Sequence, residues 1–321
     1  MSKIRVGVLR GGMGGEYDVS LKTGAYVILN LPKEKYVPID IFVGKDGAWH
    51  TRGEVRQPDE IAQMVDVVWN ALHGEYGEDG KVQQTLEAHK IPYTGSQIIA
   101  SAVGMNKTLA KEAVKKAGIK IPYQRFITRE EYETTNPLDL FRAVFMPVVI
   151  KPPAGGSSLG ISFAQTSEEL WEGIKEAFDY ADEIILEQHI LGREATVGVV
   201  EGFRGRKYYT LMPIEIERKN KNHVWGYEEK YSGNTPLHCP GRFSDEEKKE
   251  LERLTVLAHE AIGARHYSRS DFIISPRGIY FLEINTLPGL TATSLVPMAL
   301  NSAGAKMSEF LDHVISLALK P

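Results

Sequence analysis

A single cysteine, Cys239, stands in the whole chain, so an intrachain disulfide is excluded. Long apolar runs are missing too, and none reaches the length that spans a bilayer. Neither sign of charge is in large excess. A net charge of −4 gives no field that would gather nucleic acid or an anionic membrane. Internal repeats and low-complexity tracts are absent. The opening MSKIRVGVLRGG runs an apolar strand into a glycine turn and lacks the apolar core and cleavage site of a signal peptide. Together these absences predict a soluble cytoplasmic protein with no nucleic-acid and no membrane partner.

What is present is enough apolar material, 42% of 321 residues, for two or three domains with a core each. The first third alternates strand and helix signals: strands over 4–9, 37–43 and 65–69, helices over 19–29 and 81–89. That rhythm predicts a parallel sheet with helices on both faces. A smaller α+β unit follows. Asn106 caps a helix over 107–117 that Gly118 stops. Strands over 122–127, 148–150, 161–164 and 183–187 surround a helix over 170–178. The last part is richer in strands (195–200, 207–216, 267–274, 279–284) and carries helices over 245–262 and 306–319. Residues 219–240 show little periodicity, and a loop that long is usually functional or disordered.

Two stretches carry chemistry. KPPAGGSSLG, residues 151–160, places a lysine at a strand end and then a glycine-serine loop. Inward-pointing N–H groups of such a loop hold an anion; the alternative is a solvated turn. It matches neither the P-loop, whose lysine comes last, nor the dinucleotide fingerprint, since GGMGGEY has Tyr17 where a third glycine belongs. The second stretch is RSDFIISPRGIYFLEIN, residues 269–285. With Pro276-Arg277-Gly278 as a three-residue hairpin loop, Ser275 pairs with Ile279, Asp271 faces Glu283 and Arg269 faces Asn285. Alternation then puts Phe272, Ile274, Tyr280 and Leu282 on a core face. Ile273 and Phe281 share the other face with Asp271, Glu283, Asn285 and Arg269. Two carboxylates and an amide oxygen side by side suit a hard divalent cation, and opposed like charges need one or a neighbouring arginine. The alternative is an exposed charged face with a structural Arg–Asp pair. A two-residue loop would move Asp271 away from Glu283.

With both pieces in hand the chain resembles the ATP-grasp enzymes, and closely the D-alanine–D-alanine ligases. GGMGGEYDVS, NALHGEYGEDG, MNK, VIKPPAGGSSLG, LEQHILGREATVGV, GYEEKYSGNT, SRSDF and LEINTLPGLTATSLVP come in that family's order over nearly the full length. The resemblance implies an α/β and α+β, three-domain ATP-grasp architecture: an N-terminal parallel-sheet (Rossmann-like) domain over 1–104, a central subdomain over 105–187 with the glycine-rich lid, and a C-terminal subdomain over 188–321 with the Mg²⁺ site and an omega-like loop. It implies ATP as substrate, two Mg²⁺ (with Mn²⁺ as a substitute), D-alanine, and a homodimer. One D-alanine carboxylate is phosphorylated by ATP, and the amine of a second displaces phosphate.

The resemblance also assigns residues. Lys107, Lys151 and Lys230 meet the ATP phosphates, with Ser157 and Ser158 in the lid; Lys107 alone reads as a solvated helix residue. Ser157 links to Glu16 and Tyr231, and Glu16 holds the first D-alanine's ammonium; alone, Glu16 reads as an acid at a helix N-terminus. His73 contacts the first substrate. Glu187, Gln188, Ile190 and Glu194 take adenine and ribose; a charged hinge is the plain reading. Arg269 and the Gly289 N–H stabilise the oxyanion. Asp271, Glu283 and Asn285 hold Mg²⁺. Ser294 and Leu295 take the second substrate's carboxylate at a helix N-terminus, where Ser294 also reads as an N-cap. Tyr231 marks D-alanine, not D-lactate, as acceptor. Gly14, Tyr17 and Thr293 depart from common family residues near the substrate contacts. Two other readings stand beside this one: an ATP-grasp ligase with D-lactate, D-serine or another amino acid as acceptor, and a regulatory nucleotide-binding module. Arg269, Glu283 and Asn285 oppose the latter.

Overall fold

Short β-branched runs bounded by glycine make the first sheet. A computed structural model describes residues 2–153, 160–218 and 235–320. Strands β1 (Ile4–Gly11), β2 (Tyr36–Val43), β3 (Trp49–Thr51), β4 (Glu54–Val55) and β5 (Val67–Asn70) lie in the order β4-β3-β2-β1-β5. β1 runs parallel to both β2 and β5, as the strand–helix rhythm requires. β3 and β4 extend the sheet antiparallel and were not expected. Their turn is Arg52-Gly53, both at positive φ (55° and 82°), the geometry that lets a two-residue loop follow the strand twist. Side chains of β1 alternate: Val6 and Val8 enter one buried cluster, Leu9 the other.

The cluster on the Val6 face does not end with the first sheet. It joins Val6, Val8 and Trp69 to Tyr267, Phe310, Val314 and Ile315. Trp69 packs against Tyr267 and Phe310 with ring centroids 6.1 and 6.2 Å apart. Helices Leu295–Ser302 and Met307–Ala318 therefore roof the N-terminal sheet, and the two ends of the chain share one core.

The second sheet, order β6-β9-β7-β8, is antiparallel: β6 (Gln124–Thr128), β7 (Val148–Lys151), β8 (Ser162–Ala164) and β9 (Glu183–Gln188). Helix Ser167–Ala177 opens on a capping box of Thr166 and Glu169. Its Leu170 and Ile174 pack with Ile150 and Leu186 of the sheet. The third sheet holds β10 (Arg193–Glu201), β11 (Tyr208–Thr210), β12 (Ile214–Ile216), β13 (Leu237–His238), β14 (Tyr267–Ser275) and β15 (Gly278–Asn285), with β11 and β12 both on one edge of β10. The run 207–216, expected as one strand, is thus two, broken by Leu211-Met212-Pro213; proline offers no N–H to the ladder. One face of this sheet is buried under helices Lys107–Lys116 and Asp245–Ala261. Asn106 caps the former as predicted, its side chain accepting from the N–H groups of Thr108 and Leu109. No helix among the described residues is long and apolar enough to cross a membrane.

Candidate functional site

The second and third sheets face each other across an open cleft, the kind of place where small molecules bind. Val149, Lys151, Glu187, Gln188, His189 and Ile190 line one wall. Glu194, Asp271, Ile273, Leu282 and Glu283 line the other, and Lys107 and Arg218 also line the cavity. All of the expected nucleotide residues within the described parts of the chain thus meet in one place. Ser157, Ser158, Lys230 and Tyr231 lie outside the described residues.

The first wall is built on a buried charge cluster. Glu187, near the end of β9, receives Lys151 Nζ at 2.7 Å on Oε1 and Gln124 Nε2 at 2.8 Å on Oε2, and Lys111 bonds the same Oε2. Burial pushes the Glu187 carboxyl up, but Lys111 and Lys151 outweigh that and hold it at about 2. Burial pulls Lys111 down, and the attraction of Glu187 opposes this. Glu187, expected as a direct nucleotide contact, lines the cavity and also anchors Lys151 beside it.

The second wall comes from the β14–β15 hairpin, and its register differs from the one expected. Ser275 pairs with Gly278, so the loop is the two residues Pro276-Arg277. That shift would have separated the carboxylates, but an irregularity after Asp271 inserts Leu282 as an extra residue on β15. Beyond it Asp271 again faces Glu283, and Arg269 faces Asn285. The shorter loop and the bulge together move three side chains, and Tyr280, expected on the core face, now pairs with Ile273. Phe281, expected on the site face, is fully buried against Phe272 with ring centroids 5.9 Å apart. Leu282, expected in the core, lines the cavity with Ile273. A bulge re-aims side chains in this way.

Asp271 is the most engaged group here. Arg269 binds it through Nε and a terminal nitrogen, both at 3.0 Å, Asn285 Nδ2 stands 3.4 Å from it, and the Thr196 hydroxyl donates to it. Thr196 sits opposite Asp271 on β10, two residues beyond Glu194 and on the same face. Glu194 itself pairs with Arg218 at 2.8 Å. Two carboxylates and an amide oxygen beside an arginine match the donor set of a hard divalent cation.

A second focus lies where the β1 and β5 loops meet the segment after β15. Gly74 has φ +68°, and a Cβ there would stand 2.6 Å from Glu16 Oε2. The positive φ is what calls for glycine here, and it sets the Gly74 backbone against the Glu16 carboxylate. His73 is buried, with Thr23 Oγ1 2.9 Å from its Nε2 and a further bond to the Leu287 backbone. Burial lowers its pKa, and Glu16 opposes this. Glu78 accepts the N–H of Gly74 at 2.8 Å and that of Leu287 at 3.2 Å. Burial first, and Glu16 second, push its carboxyl up to about 8. Two residues after Leu287 comes Gly289, where a Cβ would be 3.2 Å from Ser294 Oγ. Ser294 occupies the N-cap position of Leu295–Ser302, yet its hydroxyl does not cap the helix. It accepts the Thr291 N–H at 3.0 Å instead, so the simple cap is not its role.

Sequence reasoning missed Lys111, Gln124, Thr196, Arg218 and Glu78. Lys111 follows Lys107 by four residues, the spacing that puts two side chains on one helix face, and that signal could have found it. Glu78 sits five residues after His73 in the same glycine-rich loop.

Comparison with known proteins gives concordant results. Residues 113–316 match the family model described as D-ala D-ala ligase C-terminus, and residues 51–96 the one described as D-ala D-ala ligase N-terminus. The D-alanine–D-alanine ligase of Geobacter sulfurreducens is 37% identical over 98% of this chain and 95% of its own. That of Halalkalibacterium halodurans is 38% identical over 99% and 100%. Among solved structures, the VanG D-Ala:D-Ser ligase of Enterococcus faecalis superposes with a TM-score of 0.86 at 29% identity, covering 99% and 100% of the two chains. The D-alanine–D-alanine ligase of Bacillus anthracis complexed with ATP gives 0.80 at 30%, covering 98% and 97%.

Proposed function

This chain belongs to the D-alanine–D-alanine ligase family, and from that premise we propose that it joins two D-alanines to D-alanyl-D-alanine, converting ATP to ADP and phosphate. A carboxylate oxygen of the first D-alanine attacks the γ-phosphorus and ADP leaves. The amine of the second attacks the acyl carbon, phosphate leaves, and the amine loses its extra proton. The site's task is to keep water from the acyl phosphate and to hold the amine against it. The observation that carries this reading is one cavity lined by Lys107 and by Lys151 and Glu187 on one wall, with Asp271 and Glu283 on the other.

Lys107 and Lys151 would bind the phosphates. Leu282 and Ile273 offer an apolar surface to the base, with Gln188, His189 and Ile190 at its edge, and Glu194 would accept from the ribose. Asp271, Glu283 and Asn285 would hold Mg²⁺, which when bound neutralises phosphate charge; Mn²⁺ suits the same oxygen donors. Arg269, already bidentate on Asp271, stands beside them to stabilise charge on the transferring group. Glu16 would hold the first substrate's ammonium. The Gly289 N–H would meet the oxyanion, and the start of Leu295–Ser302 the second carboxylate. Neighbourhood supports this last set: Glu16, His73 and Glu78 cluster in one place, and Gly289 adjoins Ser294. The roles of Ser157, Ser158, Lys230 and Tyr231 rest on sequence. A cytoplasmic setting in peptidoglycan-precursor synthesis and a homodimer, checked by light scattering, complete the reading.

The likeness to a D-Ala:D-Ser ligase keeps D-serine in view as acceptor. Phosphate release with ATP and Mg²⁺ should require D-alanine. D-alanyl-D-alanine, not D-alanyl-D-serine, should dominate in an equimolar mixture. Release that ignores D-alanine, or that is equal with L-alanine, sinks the proposal.

A further inference from the structure

We propose that Lys111 is a positioning residue for the nucleotide: it occupies one oxygen of Glu187 and so leaves the charge of Lys151 available to the triphosphate. This rests on the reading of the cavity as an ATP site. Lys111 has no solvent exposure. It stands one turn after Lys107 on helix Lys107–Lys116, behind the cavity wall. Its ammonium bonds Glu187 Oε2, while Lys151 Nζ sits 2.7 Å from Oε1. Lys151 lines the cavity and Lys111 does not. Only Lys151 can therefore turn toward a ligand.

Packing does not explain a lysine here. A buried ammonium is a costly group unless it is paired, and an apolar side chain of equal length would fill the space but leave Glu187 one counter-charge short. Charge does explain it. Two lysines on one carboxylate leave one net positive charge at the cavity floor, and one lysine leaves none. Without Lys111, Glu187 would bind and cancel Lys151 alone, and a phosphate would have to compete with a buried carboxylate for it. With Lys111 in place, Glu187 stays neutralised when Lys151 swings to the phosphate. Gln124, the third partner of Glu187, donates a hydrogen bond but no charge and cannot substitute.

The test is ATP binding by calorimetry on the full chain, with Mg²⁺ and without D-alanine, and adenosine as the phosphate-free probe. Lys111→Met should weaken ATP binding by about tenfold, the scale of one modest charge interaction, and leave adenosine binding within about twofold of wild type. Lys111→Gln, which keeps a donor but no charge, should do the same and serves if the methionine variant does not fold. Lys111→Arg should retain ATP binding. Lys111→Met combined with Glu187→Gln should recover most of it, because the competing carboxylate is gone. Unchanged ATP binding in the neutral variants, or equal losses of ATP and adenosine, overturns the assignment. A wild-type chain that does not bind ATP overturns the nucleotide reading itself.

Discussion

Glu78 sits enclosed where the loop after β5 meets Leu287, and Glu78→Gln should alter both the level of stability and its dependence on pH. Burial, reinforced by Glu16, pushes the folded carboxyl to about 8 from an ordinary value of 4.5. Between those values the folded chain keeps a proton that the unfolded chain has released. The group's contribution is therefore complete below pH 4.5 and is lost as pH rises toward 8. Each pH unit inside the window is worth about 1.4 kcal/mol. From pH 5 to pH 7 the wild type should lose about 3 kcal/mol through this one side chain. Glutamine does not titrate, so the variant should lack this slope.

The level moves the other way. Glu78 accepts two backbone N–H groups, from Gly74 and Leu287. A glutamine can accept only one; its amide nitrogen faces the other donor. An unmatched buried donor costs about 1–3 kcal/mol at every pH. At pH 5 the variant should thus be the less stable protein, and by pH 8 the difference should close or reverse. Urea unfolding at pH 5, 6, 7 and 8, followed by fluorescence with Trp69 buried in the adjoining core, measures both terms. Curves for the two proteins that stay parallel across this range would show that Glu78 is ionised in the fold, and the reasoning would fail.

Three further outcomes follow from the geometry. His266, pushed down to about 3 mainly by burial, stays neutral while the unfolded chain protonates, so its contribution is lost as pH falls from 6.5 toward 3. His266→Asn keeps an acceptor for the Gly95 N–H and suits φ +68°, and should resist acid unfolding better than wild type between pH 6 and 4. Asp271→Asn should raise the Mg²⁺ needed for half-maximal ADP release by at least about tenfold; an unchanged requirement would remove Asp271 from the metal site. Deleting Leu282 should leave Asp271 opposite Glu283, because a two-residue loop without the bulge restores that pairing. It should raise the KM for ATP by about tenfold through the lost apolar surface and leave the Mg²⁺ requirement unchanged.

The Leu282 case also shows what sequence can and cannot encode. The strands over 4–9, 267–274 and 279–284 were legible because short runs of β-branched and aromatic residues end there at glycine or proline stops. The meeting of Asp271 with Glu283 was inferred from a three-residue loop, yet it arises from a two-residue loop and a bulge. Phe281-Leu282 offers two apolar residues in succession, and nothing local says which faces the core. The space beneath helices Lys107–Lys116 and Asp245–Ala261 decides, and the larger ring of Phe281 takes it beside Phe272. Periodicity states which face a side chain occupies; what it meets there depends on segments far along the chain. Lys111 looked like one more solvated lysine on an amphipathic helix because its counter-charge, Glu187, is 76 residues away. Glu78 looked like a loop acid because one of its donors is 209 residues away. The nucleotide motifs were readable because each is local, a few residues whose chemistry is complete in itself. The groups that aim and neutralise them were not, because each is half of a pair that only the folded chain brings together, and substitution of those hidden halves is where the proposed mechanism is most exposed to test.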